Sequence, residues 1–159
     1  MLDLYAGSGA VGLEALSRGA DHVLLVESDV RAAATISANA ASTRLVGAEV
    51  RVDRVERLVA RAAPGAPYGV VFLDPPYDLA DDDLRAVITD LLAGGWLTDQ
   101  ALLIAERPSR GGEWRWPAGI EGDRSRRYGE ATLWYGRAAP QPPGATEDGL
   151  SLPDPTSER

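Results

Sequence analysis

Four consecutive residues, Asp74-Pro75-Pro76-Tyr77, close the apolar run Val70 to Leu73 with a carboxylate, two rigid backbone units and an aromatic ring. An exocyclic amino nitrogen conjugated with a base is a poor nucleophile, because its lone pair is delocalised into the ring. Hydrogen bonds from its N–H groups to the Asp74 carboxylate and the Pro75 carbonyl favour a pyramidal nitrogen with a usable lone pair. The prolines fix the backbone and restrict the residue before each of them. Pro76 brings no competing N–H, and Tyr77 can stack on the base. Attack on a methyl group carried by positive sulfur would gain rate from proximity and orientation. Asp74 would stabilise the positive charge that arrives on nitrogen. A base in folded nucleic acid must be flipped out to reach such a pocket. The bland alternative is a turn that simply ends a strand.

A second stretch answers the first. Gly7-Ser8-Gly9-Ala10-Val11-Gly12 fits G-x-G-x-x-G after a short apolar strand, and Glu27 follows Gly7 by 20 residues. That spacing serves a dinucleotide, with the glycines close to the ligand and the acid on the ribose hydroxyls. It serves S-adenosylmethionine (SAM) equally. Asp3, inside the first strand, favours SAM, because a dinucleotide site wants an apolar strand there and a buried carboxylate needs a partner. The competing role for Asp3 is to satisfy N–H groups of the turn. Asp53, at the end of the third strand, suits either the adenine amino group or the N-cap of the next helix.

The remaining composition narrows the chemistry. The chain has 159 residues, net charge −8, no cysteine and one histidine, His22. Disulfides, thiolate metal sites and thiol catalysis are excluded, and no metal site is expected. No apolar run approaches a membrane span, and no signal peptide is evident, so a cytoplasmic protein is expected. All 16 basic residues are arginine. An acidic protein is not an obvious nucleic-acid binder. Arg107, Arg110, Arg115, Arg124, Arg126 and Arg127 nevertheless cluster late and predict a local basic face.

Strands are expected at residues 1–5, 22–27, 49–53, 68–74 and 101–106, with helices at 10–18, 29–41, 54–63 and 81–93 between them. This alternation predicts an α/β, Rossmann-like, doubly wound and mostly parallel sheet. Strands at 113–116, 124–128 and 131–137 follow without helices, which predicts an antiparallel C-terminal hairpin at one edge. Trp114, Trp116, Trp134 and Tyr135 are expected to pack that edge. Residues 138–159, rich in proline and acids, read as a disordered tail.

DLYAGSGAVGLEALSRGA, then LLVESD, then VVFLDPPY, in that order, resemble the RsmD-type bacterial 16S ribosomal RNA guanine-N2 methyltransferases. ALLIAERP and RRYGEATLWYGR are similar to that family's C-terminal strands, so the resemblance covers about residues 1–137. It implies a class I SAM-dependent methyltransferase acting on one guanine N2 of small-subunit rRNA, in a 30S subunit or an assembly intermediate. Asp3, Tyr5, Ala6, Gly7, Ser8 and Gly9 match the SAM turn, Glu27 the ribose ligand and Asp53 the adenine-side acid. Asp74, Pro75, Pro76 and Tyr77 match the catalytic motif. Family members carry a segment with a basic arm ahead of the first motif. The expectation is therefore an N-terminally truncated domain over 1–137, from a misplaced gene start or a shortened product, with RNA affinity suffering most. Nothing in the sequence calls for more than a monomer.

Three other readings remain at this point. A DNA adenine-N6 or cytosine-N4 methyltransferase shares the DPPY motif, but no target-recognition domain is visible. An NAD-dependent oxidoreductase explains the glycine turn and Glu27, yet leaves Asp3 and DPPY unused. A non-catalytic truncated remnant is the third.

Overall fold

The computed structural model describes residues 1–140. In chain order the elements are β1 (Leu2–Leu4), α1 (Ala10–Ser17), β2 (Val23–Glu27), α2 (Val30–Thr43), β3 (Ala48–Val52), α3 (Val55–Val59), β4 (Tyr68–Leu73), α4 (Asp81–Ala93), β5 (Leu97–Pro108), β6 (Ile120–Tyr128) and β7 (Ala131–Ala138). One seven-stranded sheet runs in the order β3-β2-β1-β4-β5-β7-β6. The first five strands of that order pair in parallel, and β7 is antiparallel to both β5 and β6. The expected doubly wound sheet with a C-terminal hairpin is what forms.

Each face of the sheet has its own core, which explains the unbroken apolar runs. Leu24 and Val26 of β2 face one way, with Leu2, Leu4, Val71 and Leu73, against Val55 and Leu58 of α3 and Leu84, Val87, Ile88 and Leu91 of α4. Val23 and Leu25 face the other way, against Leu13 and Leu16 of α1 and Ile36 of α2. A strand covered on both sides has no polar face to alternate with. The edge strand β6 is exposed along nearly all its length, and its sequence, Glu-Gly-Asp-Arg-Ser-Arg-Arg, carries charges that discourage edge-to-edge pairing.

Three expectations need correction. The third helix was expected over 54–63 and stops at Val59. The backbone beyond it is taken by tertiary partners: the Trp96 indole N–H donates to the Arg61 carbonyl at 2.8 Å, and the Ala63 N–H donates to the Gly94 carbonyl at 2.9 Å. Residues 113–116 form no strand. Their tryptophans act as pegs instead: Trp114 is buried, and Trp116 packs so tightly on Gly136 that a Cβ there would lie 2.8 Å from its ring. The two rings meet edge to face, 5.7 Å apart. β7 ends at Ala138, paired with Ile120, one residue into the stretch read as a tail; residues 141–159 lie outside the described residues. Among the described residues no helix is long and apolar enough to cross a membrane.

Trp96 is fully buried and joins α3, α4 and β5. Trp96→Phe removes ring area and leaves the Arg61 carbonyl without its donor. The expected cost is about 2–3 kcal/mol, read as a lowered urea midpoint at unchanged slope.

Candidate active site

All five parallel strands deliver their carboxyl ends to one side of the molecule. β1 is followed by neighbours on one hand, β2 and β3, and by β4 and β5 on the other. The crevice between β1 and β4 is therefore the topological switch point, where an open α/β sheet takes its ligand. Leu4 pairs with both Val26 and Leu73, which levels the strand ends around that crevice.

The turn after β1 is built from left-handed residues: Tyr5 at φ 61°, Gly7 at 55° and Gly9 at 77°. Gly9 is the N-cap residue of α1 and has no side chain to cap with. A Cβ on it would also sit 2.8 Å from Ile36 Cγ2. Asp3 supplies the missing cap from the strand below: its Oδ2 accepts the Gly12 N–H at 2.9 Å. Gly12 is pressed onto that carboxylate, since a Cβ there would meet Asp3 Oδ2 at 2.9 Å. Glu27, at the end of β2, clamps the turn from the side. Its Oε2 accepts the Gly7 N–H and its Oε1 the Asp29 N–H, each at 2.8 Å. Asn39 of α2 donates to the Ser8 carbonyl at 3.3 Å.

Two adjoining cavities open on this turn. One, of about 260 Å³, lies over the ends of β1, β2 and β3 and is lined by Tyr5, Glu27, Ser28, Asp53, Glu56 and Pro76 among others. The second, of about 370 Å³, lies toward β4 and β5 and holds Gly7, Asp74, Pro75, Pro76, Tyr77 and Glu106. The crevice thus brings together Tyr5, Gly7, Glu27, Asp53 and all four DPPY residues. Asp3 is 2% exposed and lies beneath the turn. It joins neither cavity lining, and nor do Ala6, Ser8 and Gly9.

Electrostatics differ sharply from acid to acid. Burial pushes Asp3 up to about 7, against the lowering effect of the Gly12 N–H and with a further push from Asp74. Asp74 is raised by burial, and its carboxylate has no hydrogen-bond partner among the described residues. Asp53 is lowered, chiefly by the Arg57 side chain, whose Nε donates to Oδ1 at 2.6 Å. The same Oδ1 accepts the Arg54 N–H at 2.8 Å, so Asp53 serves the start of α3 and still offers Oδ2 to the cavity. Tyr5 donates to Glu56 Oε1 at 2.9 Å, and burial followed by the Glu56 charge raises its hydroxyl well above the ordinary value. Tyr77 is 71% exposed, a ring held out at the mouth.

Two features of the site were not anticipated. Glu106 lies two residues before the end of β5, level with the end of β4; it closes the apolar run ALLIAE as Glu27 closes that of β2, and the same logic would have found it. Arg107 was expected on a basic face and is buried instead. It donates to the Leu79 carbonyl at 2.7 Å and pairs with Asp81 at 2.6 Å, pinning the segment that follows Tyr77 onto β5. The predicted basic face is thinner than its arginine count, since Arg124 pairs with Asp123 and lies over the Tyr135 ring.

A family model described as Conserved hypothetical protein 95 matches residues 1–137. The chain belongs to this family. It is the family that the RsmD-type motifs pointed to. The Escherichia coli K12 protein named Ribosomal RNA small subunit methyltransferase D is 39% identical over 105 residues, 66% of this chain and 51% of that one. The chain spans about half the length of the curated relatives it matches. Among solved structures, the Escherichia coli protein yhhF superposes with a TM-score of 0.79 at 33% identity, covering 88% of this chain and 76% of that one. The SAM-bound magnesium protoporphyrin IX methyltransferase of Synechocystis shares the fold, with a TM-score of 0.65 at 16% identity over 87% of this chain and 69% of that one. The fold is that of class I SAM-dependent methyltransferases.

Asp3 also sets a pH dependence. Its folded value of about 7 lies above the ordinary 3.8. Between those limits the folded state holds a proton that the unfolded chain has lost, so stability falls as pH rises. The interval corresponds to about 4 kcal/mol at most. Asp74 and Glu106, also raised, act in the same sense; Asp53, lowered, adds stability that is lost on acidification. Urea unfolding at pH 5 and pH 8 should show the weaker protein at pH 8. Asp3→Asn keeps an acceptor for Gly12 and should remove most of that difference; an unchanged difference would refute the assignment to Asp3.

Proposed function

We propose that residues 1–137 are a SAM-dependent methyltransferase domain that methylates the exocyclic N2 of a guanine in small-subunit ribosomal RNA. The observation that carries this reading is the Asp74-Pro75-Pro76-Tyr77 end of β4 opening into the same crevice as the Glu27-clamped glycine turn. The names of the relatives support rRNA over DNA as the substrate class. A 30S subunit or assembly intermediate as partner, a monomeric state and a cytoplasmic location belong to the same reading.

The crevice chemistry fits SAM better than a dinucleotide. The adenosine-sized cavity is ringed by Glu27, Asp53, Glu56, Asp78 and Asp83, with Arg54 the cation in its lining. Such a wall repels a pyrophosphate and accepts hydroxyls, an amino group and a cation. The Gly7 N–H, which a pyrophosphate would want, is already given to Glu27. Glu27 would hold the ribose hydroxyls through lone pairs its two backbone bonds leave free, and Asp53 Oδ2 the adenine amino group. Asp3 would act as a positioning residue by keeping the turn on its helix. Bound SAM supplies a methyl group on a positively charged sulfur.

The chain's own residues do the rest. Tyr77 stacks on the flipped base. The Asp74 carboxylate and Pro75 carbonyl accept hydrogen bonds from the two N2 N–H groups and turn the nitrogen lone pair toward the crevice. As the new N–C bond forms and the methyl–sulfur bond breaks, with the neutral thioether as leaving group, Asp74 would stabilise the charge on N2 and take the proton it releases. A carboxylate raised by burial is a suitable acceptor for that proton.

Calorimetric titration tests the cofactor half. SAM should bind with micromolar affinity and NADH should be silent; NADH binding without SAM binding would overturn the reading. Glu27→Ala should weaken SAM by roughly 10- to 100-fold. Asp74→Ala should bind SAM as before and lose about 10²-fold or more in methyl transfer to unmethylated small subunits, with N2-methylguanosine measured as the product.

A further inference from the structure

β5 runs beside β4. Their parallel register pairs Leu73 with Ala105. The next residues along, Asp74 and Glu106, therefore stand side by side at the crevice end of the sheet. Both line the 370 Å³ cavity that also holds Pro75, Pro76 and Tyr77. Glu106 is half-buried. Among the described residues its carboxylate has no hydrogen bond and no ion pair, while the residue pairs with Leu133 of β7; burial and the charge of Asp74 act on the carboxylate. Arg107, the next residue, is committed to Leu79 and Asp81 and does not neutralise it.

Asp74 is exposed and Glu106 half-buried; a ligand seated against both displaces their water and must offer N–H donors in its place. A flat base seated against both must offer adjacent donors on one edge. Guanine does, with N1–H beside the N2 amino group. Adenine and cytosine carry an unprotonated ring nitrogen beside theirs, and uracil has a ring N–H but no amino group.

We propose that Glu106 is the residue that selects guanine, by accepting the base N1–H while Asp74 and the Pro75 carbonyl hold N2. Adenine and cytosine would set a ring-nitrogen lone pair against the Glu106 carboxylate. A site built to accept a hydrogen bond rejects an analogue that lacks the donor far more strongly than a shape misfit would. This rests on the reading of the crevice as an amino-group methyltransferase site.

The test compares two nucleosides that share the 2-amino group and differ at N1 and in the 6-oxo group; the Glu106 variant separates the N1 difference from the other. Guanosine has N1–H; 2-aminopurine riboside has a bare N1 and is fluorescent. Each is titrated into the full chain saturated with S-adenosylhomocysteine. Wild type should favour guanosine by roughly tenfold or more. Glu106→Gln should bind S-adenosylhomocysteine as wild type does, which shows that it is folded. Its amide N–H can donate to the bare N1, so its preference should shrink to about threefold or less, or invert. Equal binding of the two nucleosides by wild type, or an unchanged preference in Glu106→Gln, would overturn the role of Glu106 and leave the cofactor site intact. Failure to bind S-adenosylhomocysteine, or saturable binding of neither nucleoside, would overturn the underlying reading of the crevice and the inference with it.

Discussion

A carboxylate buried in the first strand holds the first helix in place. Asp3 reaches from β1 through the sheet face to the Gly12 N–H, and it does for α1 what the residue at the cap position cannot. The cap is Gly9, which must be glycine because it is left-handed and pressed against Ile36. Capping therefore comes from a residue distant along the chain but directly underneath. The cost is desolvation of a carboxyl group, offset by a hydrogen bond to an otherwise orphaned helix N–H. The glycine turn, and every group arranged around it, inherits its position from this contact.

Above that contact the crevice divides its acids by task. Glu27 and Asp53 are tied to backbone N–H groups or to Arg57. They are fixed in direction and shape a wall for hydroxyl and amino donors. The carboxylates of Asp74, which is exposed, and of Glu106, which is half-buried, have no hydrogen bond or ion pair among the described residues. Fixed acids recognise and unpaired acids await a partner, and the two kinds fall in adjoining cavities that share Tyr5, Glu27, Ser28 and Pro76. Arg107 supports the same arrangement, since its contacts with Leu79 and Asp81 anchor the segment that follows Tyr77 onto β5.

The acidic body of the protein poses a problem for an RNA partner, because phosphate neutralisation carries much of such affinity. Three of the six late arginines do not resolve it. Arg107 is buried, Arg110 faces Glu130 and Arg124 is shared between Asp123 and Tyr135. Arg126 and Arg127 remain exposed on β6, at the far edge of the sheet from the crevice's adenosine side. On the proposed function the crevice would take one base and one cationic cofactor, which are local demands that a net charge does not override.

The sequence by itself determined the order of strands and helices, because apolar runs, glycine stops and proline breaks are local signals. It also determined that Gly7, Glu27, Asp53 and Asp74 stand at strand ends, since each closes an apolar run, and a parallel sheet sends those ends to one side. Tertiary structure decided what those ends touch. That Asp3 caps α1 depends on a strand and a helix packing face to face. That α3 stops at Val59 depends on Trp96 and Gly94 claiming the carbonyl of Arg61 and the N–H of Ala63. That Trp116 packs on the sheet instead of joining a strand depends on space left over Gly122 and Gly136. That Glu106 stands beside Asp74 depends on the register of β4 against β5. Each of these is a pairing between residues far apart in sequence, and no local pattern of residue types encodes which distant partner a group will meet.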